Sequence, residues 1–194
     1  GRQRQRLLDH RLLLHGVDEA RVAQVHRRDP ACGVGSEQHL DRADQAVERR
    51  RVAESGIEFR SLAGDEVPAA LWRTIFAFTE RTFLRHGNAH YLSAAFLEQV
   101  AQRMPGAITV KLAERDGEAI AAAIFFQGGG SLYGRYWGAA GHEDSLHFEA
   151  CYYQGIEHCI AHGLETFDPG TQGEHKLARG FEPEVRLAVE TIYP

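Results

Sequence analysis

The alternation of apolar and polar residues along the chain predicts a mixed α/β domain that begins near residue 56. Residues 56–62 alternate like a short strand, and apolar residues then recur at helical spacing over Ala69–Arg85 and Ala94–Arg103. Three apolar segments joined by short turns follow, which predicts an antiparallel meander. The predicted elements are strand 56–62, helices 69–85 and 94–103, strands 107–113, 119–127 and 131–137, helix 146–162, strand 164–168, a loop or short helix 173–179, and strand 185–193. The fold class is therefore α/β (α+β) on a mixed sheet, in the order β-α-α-β-β-β-α-β-(α)-β.

The first 55 residues have a different composition from the rest. All 18 aromatic residues lie at or after Phe59, so the leading segment lacks the side chains that dominate hydrophobic cores. Residues 1–56 carry 11 Arg and 9 Asp or Glu, whereas the remainder of the chain is acidic. We therefore divide the chain into a charged leader, 1–55, that is helical or disordered, and a domain, 56–194; within the leader, residues 43–54 read as a charged helix.

Charge and cysteine content narrow the class of protein. The net charge of −5 disfavours a protein that holds nucleic acid mainly by bulk electrostatics. Three cysteines without CxxC spacing indicate neither a disulfide framework nor a cysteine-rich zinc module, so we expect a reducing compartment, most simply the cytoplasm. No run approaches 18 apolar residues, so we expect no membrane span. The chain begins with Gly1 and contains one methionine, Met104, which suggests a fragment or a processed chain.

Four segments of the second half carry a resemblance to a known family. They read LYGRYWG at 132–138, HFEACYYQGIE at 147–157, HGLETFD at 162–168 and QGEHKLARGF at 172–181. Together with the element order, they resemble the FemAB-like branch of the GNAT acyltransferase superfamily, and more narrowly a bacterial family linked to peptidoglycan biosynthesis or recognition. The resemblance covers about 56–194, and its last segment is the most specific part.

The resemblance implies a GNAT-like fold with a mixed, mostly antiparallel sheet that transfers an acyl or aminoacyl group onto an amine. The donor is acyl-CoA (acetyl-CoA) in most of the superfamily and aminoacyl-tRNA in Fem-type enzymes; the acceptor would be a small-molecule amine or a peptide. Fem-type proteins pair two GNAT-like halves, and this chain has length for only the second. A second GNAT-like half or a homo-oligomer is therefore expected as a partner.

A first candidate site follows the third strand of the meander. Acyl-CoA transferases hold the pyrophosphate on a loop of the form Arg/Gln-x-x-Gly-x-Gly/Ala, because backbone N–H groups at a helix N-terminus bind anions. Arg135, Gly138 and Ala140 match this pattern. The alternative is an ordinary strand-to-helix turn, in which Glu143 and Asp144 complement the helix dipole.

A second candidate site lies between the glycines of the 173–181 segment. Lys176 and Arg179 could anchor an anionic part of the donor, and Glu174 could contact the acceptor. Lys176 is notable because the chain has only one other lysine beside 20 arginines. This composition indicates that the function of this position requires an ammonium group. The alternative is a solvated helical turn with Glu174 and Arg179 loosely paired.

The resemblance also implies catalytic groups at the start of the long helix. Either Glu149 or His147 could accept the proton of the attacking amine, and Tyr136 could protonate the leaving group. Glu149 lies off the predicted core face, so a solvent-facing carboxylate is the alternative. Acceptor-binding residues are expected after the first helix, at His86, Asn88 and Tyr91, where a capped loop is the competing interpretation.

Metal binding and cysteine chemistry are not expected. His158 and His162 have the spacing of a helical metal pair, but the sequence offers no third ligand, so we expect no metal. Cys151 and Cys159 fall on the core face of their helix, which favours packing. The sequence thus predicts a GNAT/FemAB-like N-acyltransferase; the alternative is a non-catalytic recognition module of the same fold that binds a cell-wall precursor or a partner protein.

Overall fold

The computed structural model describes residues 23–24, 42–170 and 174–181. Its helices and strands are β1 (Ala23–Gln24), α1 (Arg42–Glu54), β2 (Glu58–Ala63), α2 (Ala69–Arg85), α3 (Ala94–Arg103), β3 (Ile108–Arg115), β4 (Glu118–Gly128), β5 (Ser131–Ala139), α4 (Leu146–Phe148), α5 (Gln154–His162), β6 (Thr166–Asp168) and α6 (Glu174–Leu177). A 3₁₀ turn, Gly64–Glu66, precedes α2. A π-helical segment, Glu149–Tyr153, joins α4 to α5, and the three together form the central helix, 146–162.

The predicted elements from residue 56 onward are confirmed wherever the structure describes them. The predicted meander is present, since β2, β3, β4 and β5 pair antiparallel in succession. The predicted loop or short helix at 173–179 contains α6. The predicted strand 185–193 lies outside the described residues. The mixed, mostly antiparallel sheet flanked by helices is consistent with a GNAT-like fold.

Over the described ranges the sheet has six strands in the order β1-β6-β5-β4-β3-β2. The pair β5·β6 is parallel, because the central helix carries the chain back between these two strands. The two residues of β1 pair antiparallel with β6, so part of the predicted leader joins the sheet. The proposed boundary between leader and domain at residue 55 stays a prediction.

Alternating residues of the strands build one core on each face of the sheet. Ile108, Val110 and Leu112 of β3 pack with Ile124 of β4 under α2 and α3, where Trp72 is also buried. On the opposite face, a second cluster packs beneath the central helix: Ala123, Phe125, Leu132, Ala150, Tyr152, Cys159, Phe167 and Phe181. The long helix is therefore fixed on the face opposite α2 and α3.

Two glycines set the distance between the helices and the sheet. A Cβ at Gly138 of β5 would lie 2.1 Å from the carbonyl carbon of Phe78 in α2. A Cβ at Gly155 in α5 would lie 2.4 Å from the ring of Phe167 in β6. Both positions allow a close approach that any other side chain would prevent.

The helix within the leader is packed against the domain. Val52 of α1 is buried with Ile57 and Leu146. Arg49 of α1 forms an ion pair with Glu149 of the central helix. The charged helix predicted at 43–54 is thus observed as α1, and it buries Val52 against the domain.

Candidate functional site

The parallel strands β5 and β6 separate after a short stretch of pairing. Their register runs from Ser131 opposite Thr166 to Tyr133 opposite Asp168, where β6 ends. Strand β5 continues for six more residues, to Ala139. The gap that opens beside this extension holds a cavity of about 340 Å³, which we call the splay cavity.

A β-bulge at Arg135 lies at the mouth of the gap. Tyr136 pairs with Ile124 of β4, and Gly134 pairs with Phe125, so Arg135 is the extra residue between two consecutive partners. Bulges bend a strand and redirect a side chain, and they are frequent beside active sites. The bulge therefore explains how neighbouring residues of one strand both reach the splay cavity.

Among the described residues, the lining of the splay cavity carries basic and neutral polar groups but no carboxylate. Within the part of the chain that the structure describes, the cavity is lined by Ala123, Ile124, Phe125, Gly134, Arg135, Tyr136, Trp137, His147, Cys151, Tyr152, Pro169, Gly170, His175 and Lys176. Such a lining is unusual in a chain with a net charge of −5. It favours an anionic or carbonyl-bearing ligand.

His147 is positioned at the cavity by the first turn of the central helix. Its ring centroid lies 5.5 Å from that of Trp137 and 5.5 Å from that of Tyr152. Burial among these rings, with His175 and Lys176 nearby, lowers the pKa of His147 to about 4. The imidazole is therefore neutral at pH 7.

The 174–181 segment supplies the opposite wall. Lys176 is 3% exposed, and its ammonium donates to the Gly170 carbonyl at 2.7 Å. A hydrogen bond of 2.8 Å joins Tyr152 Oη to His175 Nε2. Burial, together with Lys176 and Arg179, lowers the pKa of His175. Both histidines at this cavity therefore favour the neutral form.

Tyr136 belongs to a hydrogen-bonded pair of phenols. Its hydroxyl donates to Tyr91 Oη at 2.9 Å, and the Arg135 guanidinium donates to the same oxygen. Burial and the hydrogen bond to Tyr91 raise the pKa of Tyr136 to about 12, so it keeps its proton at neutral pH. Tyr91 is 61% exposed and places the other end of this network at the surface. The predicted acceptor residue Tyr91 and the predicted acid Tyr136 are thus in direct contact.

Glu149 lies outside the splay cavity. Its carboxylate receives Arg49 Nε at 3.0 Å, Arg49 Nη2 at 3.1 Å and Gln154 Nε2 at 2.9 Å. The alternative of a solvent-facing carboxylate is wrong, because Glu149 is only 4% exposed. The carboxylate is engaged with a cation from α1, and His147 is the predicted proton acceptor that lines the cavity.

Arg179 is also held by α1. Its guanidinium pairs with Glu48, donates to the His175 carbonyl at 2.8 Å and lies 3.6 Å from the centroid of the Phe148 ring. The alternative of a solvated turn is wrong for this residue, since Arg179 is buried. Glu174, predicted beside it, begins α6. Arg179 borders the cavity wall and is not among the residues that line the cavity.

Both small residues of the predicted pyrophosphate loop are engaged with neighbouring elements. Gly138 lies within β5 opposite Ala122, and its absent side chain makes room for α2. The Ala140 N–H donates to the Ile120 carbonyl at 2.7 Å. This placement favours an ordinary strand exit.

Glu143 and Asp144 follow this loop and were predicted, as the alternative, to complement the dipole of the next helix. The structure engages Glu143 with Arg115. The Glu143 carboxylate receives both terminal nitrogens of Arg115 at 2.9 Å, and this ion pair lowers the pKa of Glu143. Asp144 is exposed. Glu143 thus holds the loop after β5 to β3 through a two-point ion pair.

The remaining acceptor candidates lie in the turn after α2. His86 is the C-terminal cap residue of α2, and Asn88 Nδ2 donates to the His86 carbonyl at 3.4 Å. Both are exposed and neither lines the splay cavity. These contacts are those of a capped loop. Tyr91 alone of the three is linked by side-chain hydrogen bonds to cavity residues.

The described ranges contain neither a cluster of metal ligands nor a helix that could span a membrane. No group of three potential metal ligands is present among residues 23–24, 42–170 and 174–181. The rings of His158 and His162 stack at 4.0 Å, and His158 bonds to Gln127 at 2.9 Å. None of the described helices is long and apolar enough to cross a membrane.

Several lining residues escaped the sequence analysis. Tyr152 and Cys151 were assigned to the core face of the long helix, where periodicity alone does not distinguish a cavity from a core. His175 stood within a candidate segment, and its pairing with Tyr152 depends on a contact across 23 positions. Gly134 lies beside the bulge, and no local pattern marks a bulge in advance.

The comparisons with known proteins agree with this architecture. A family model described as peptidoglycan biosynthesis/recognition, FemAB-like, matches residues 38–194. No curated protein matches the chain. A crystal structure of the C-terminal domain (DUF2156) of a protein described as a lysylphosphatidylglycerol synthetase, from Agrobacterium fabrum, is similar in fold, with 15% identity and a TM-score of 0.55. The match covers 80% of this chain and 46% of that one, so the chain spans less than half of that structure. On the family match, which covers most of its length, the chain belongs to the FemAB-like family of peptidoglycan biosynthesis and recognition.

Proposed function

We propose that the chain transfers an aminoacyl group onto an amine acceptor and forms an amide, in peptidoglycan metabolism. The family match supports the metabolic context. The observation that carries the proposal is the splay cavity, in which a neutral imidazole faces basic groups and no described carboxylate. This combination suits a reaction in which an amine loses a proton while negative charge develops on a carbonyl oxygen.

In the proposed step, the acceptor nitrogen attacks the carbonyl carbon of the aminoacyl ester. A C–N bond forms, the ester C–O bond breaks, and the proton lost by nitrogen passes to His147 and then to the leaving hydroxyl. The positive charge of Lys176 stabilises the developing oxyanion or a donor phosphate. Tyr136 remains protonated and acts with Arg135 and Tyr91 to orient the substrates.

We propose aminoacyl-tRNA as the donor, in preference to acyl-CoA. This choice is supported by the two small residues of the predicted pyrophosphate loop, because Gly138 packs against α2 and the Ala140 N–H is already bonded. The acceptor is proposed to be a peptide or small-molecule amine of a cell-wall precursor. An aminoacyl-tRNA donor would place the reaction in the cytoplasm.

A transfer assay with radiolabelled aminoacyl-tRNA and a peptidoglycan precursor tests the proposal. Loss of a positioned general base costs about 10²–10⁴ in rate, so we expect His147→Gln to reduce transfer by that factor. His142→Gln is the matched control, since His142 is exposed and does not line the cavity. Equal activity of both variants would show that His147 is not the proton acceptor.

The second candidate function is a recognition module without chemistry. It is favoured by the position of Glu149, a carboxylate predicted as the base, which is paired with Arg49 outside the cavity. A chain that binds the precursor in calorimetry but transfers from neither aminoacyl-tRNA nor acetyl-CoA would support this function and refute the transferase. Saturable acetyl-CoA binding that Arg135→Ala weakens would instead support a CoA donor.

A further inference from the structure

Helix α1 contacts the segment that forms one wall of the splay cavity. Glu48 of α1 accepts hydrogen bonds from Tyr153 Oη at 2.7 Å and from Arg179 Nε at 3.3 Å, and it pairs with the Arg179 Nη2 group. The Glu48 side chain is 15% exposed and the Arg179 side chain 3% exposed, so the ion pair is shielded from solvent. Glu48 is 131 positions from Arg179 in the sequence.

Arg179 connects Glu48 to the cavity wall. It donates to the carbonyl of His175, and its guanidinium stacks on Phe148 of the central helix. His175 lines the cavity and bonds to Tyr152. The neighbour of Tyr152 in sequence, Tyr153, is the other residue that bonds to Glu48.

We propose that Glu48 is a positioning residue of the transfer site, which acts through Arg179 and Tyr153 to hold His175 and Lys176 against the splay cavity. The wall's part in transfer rests on the proposed function, whereas the positioning itself can be measured without a substrate. Removing one partner of a buried ion pair leaves the other charge uncompensated, so the contact is sensitive to a change at Glu48.

The position of the wall should also affect the titration of the histidines at the cavity. His175 is faced by Lys176 and Arg179 from its own segment and by His147 and Tyr152 from the central helix. Burial is the largest cause of the lowered pKa of both imidazoles, and the positive charges of Lys176 and Arg179 add to it. A wall that loosens without the Glu48 carboxylate lets water reach both rings, so both histidines should titrate at higher pH.

The test compares the full chain with Glu48→Gln and Glu54→Gln. Glu54 is an exposed acid of the same helix and is the matched control. Two readouts are measured: histidine titration by NMR, with signals assigned through His175→Gln and His147→Gln, and amide hydrogen exchange. The Arg179 and Phe181 amides both bond to the Lys176 carbonyl, at 3.0 and 3.1 Å, and therefore report on the wall.

We expect Glu48→Gln to accelerate exchange at Arg179 and Phe181 by about tenfold or more and, because the rings become less buried, to shift both histidine titrations to higher pH. Glu54→Gln should change neither readout. Unchanged exchange and titration in a folded Glu48→Gln chain would overturn the proposal. If that variant does not fold, Glu48→Asp keeps the charge and shortens the side chain by one methylene. Its 174–181 amides must then exchange faster than those of Glu54→Gln, and equal rates would overturn the proposal.

Discussion

Gly138 is the position where a single methyl group would force a helix and a strand apart. A Cβ there would lie 2.1 Å from the Phe78 carbonyl carbon and 2.3 Å from the Thr79 amide nitrogen. Both obstacles are backbone atoms of α2, which cannot rotate away as a side chain could. Ordinary contact begins at 3.4 Å, so α2 must move by more than 1 Å over the buried face that contains Trp72.

The magnitude of the effect follows from this geometry. Overpacking of a core costs about 1–3 kcal/mol and occasionally more, and a backbone obstacle places Gly138→Ala at about 3 kcal/mol. For a chain of this size, the corresponding fall in Tm is about 6–12 °C. Differential scanning calorimetry and urea unfolding measure it.

Two neighbouring glycines provide the controls. A Cβ at Gly141 would meet nothing within 4 Å, and one at Gly134 would lie 3.3 Å from Pro169. We expect Gly141→Ala to change Tm by less than about 2 °C and Gly134→Ala to fall between the other two. If Gly138→Ala kept the wild-type Tm and instead lost donor binding, the packing argument would be refuted and a nucleotide-binding loop supported.

Two further predictions concern buried titratable groups. Burial lowers the pKa of His147 and of His158 to about 4, so the unfolded chain binds more protons than the folded one between about pH 6.5 and 4. Stability should therefore fall as pH decreases through this window, by at most about 1.4 kcal/mol per pH unit for each histidine, and urea unfolding of His158→Gln should show a shallower loss. Lys111 is 6% exposed and burial lowers its pKa, so Lys111→Met should leave Tm unchanged or raise it; a decrease of several degrees would show that the ammonium is needed.

Much of the fold follows from patterns that are local in sequence. Helical spacing of apolar residues identified α2 and α3, because each helix must bury one face regardless of its partner. Ser93, a residue type preferred at helix N-termini, precedes α3, and its hydroxyl accepts the Phe96 N–H at 3.2 Å. The turns between the strands of the meander were equally clear, because short connections bring neighbouring strands into antiparallel pairs.

Only part of the candidate site could be predicted from local sequence patterns. Lys176 and His147 stood out by residue type and by family resemblance, and the structure brings both to one cavity. Glu149 carried the same resemblance, yet the helix turns it toward α1. A residue's type and spacing indicate what chemistry it can perform. The direction of its side chain depends on the rotation of the helix at that residue, and the π-helical segment Glu149–Tyr153 changes this rotation.

The sequence by itself determined the order of elements, the acidic domain and the chemistry available in the 172–181 segment. The tertiary structure alone decided that β5 and β6 separate, that a bulge at Arg135 turns neighbouring residues to one cavity, and that Glu48 meets Arg179 across 131 positions. The physical reason is that hydrophobic periodicity is set by each segment's own burial, whereas ion pairs and cavities depend on which distant segments meet. The predicted leader shows this difference, since its composition indicates little burial and its α1 nevertheless holds two charged residues of the domain.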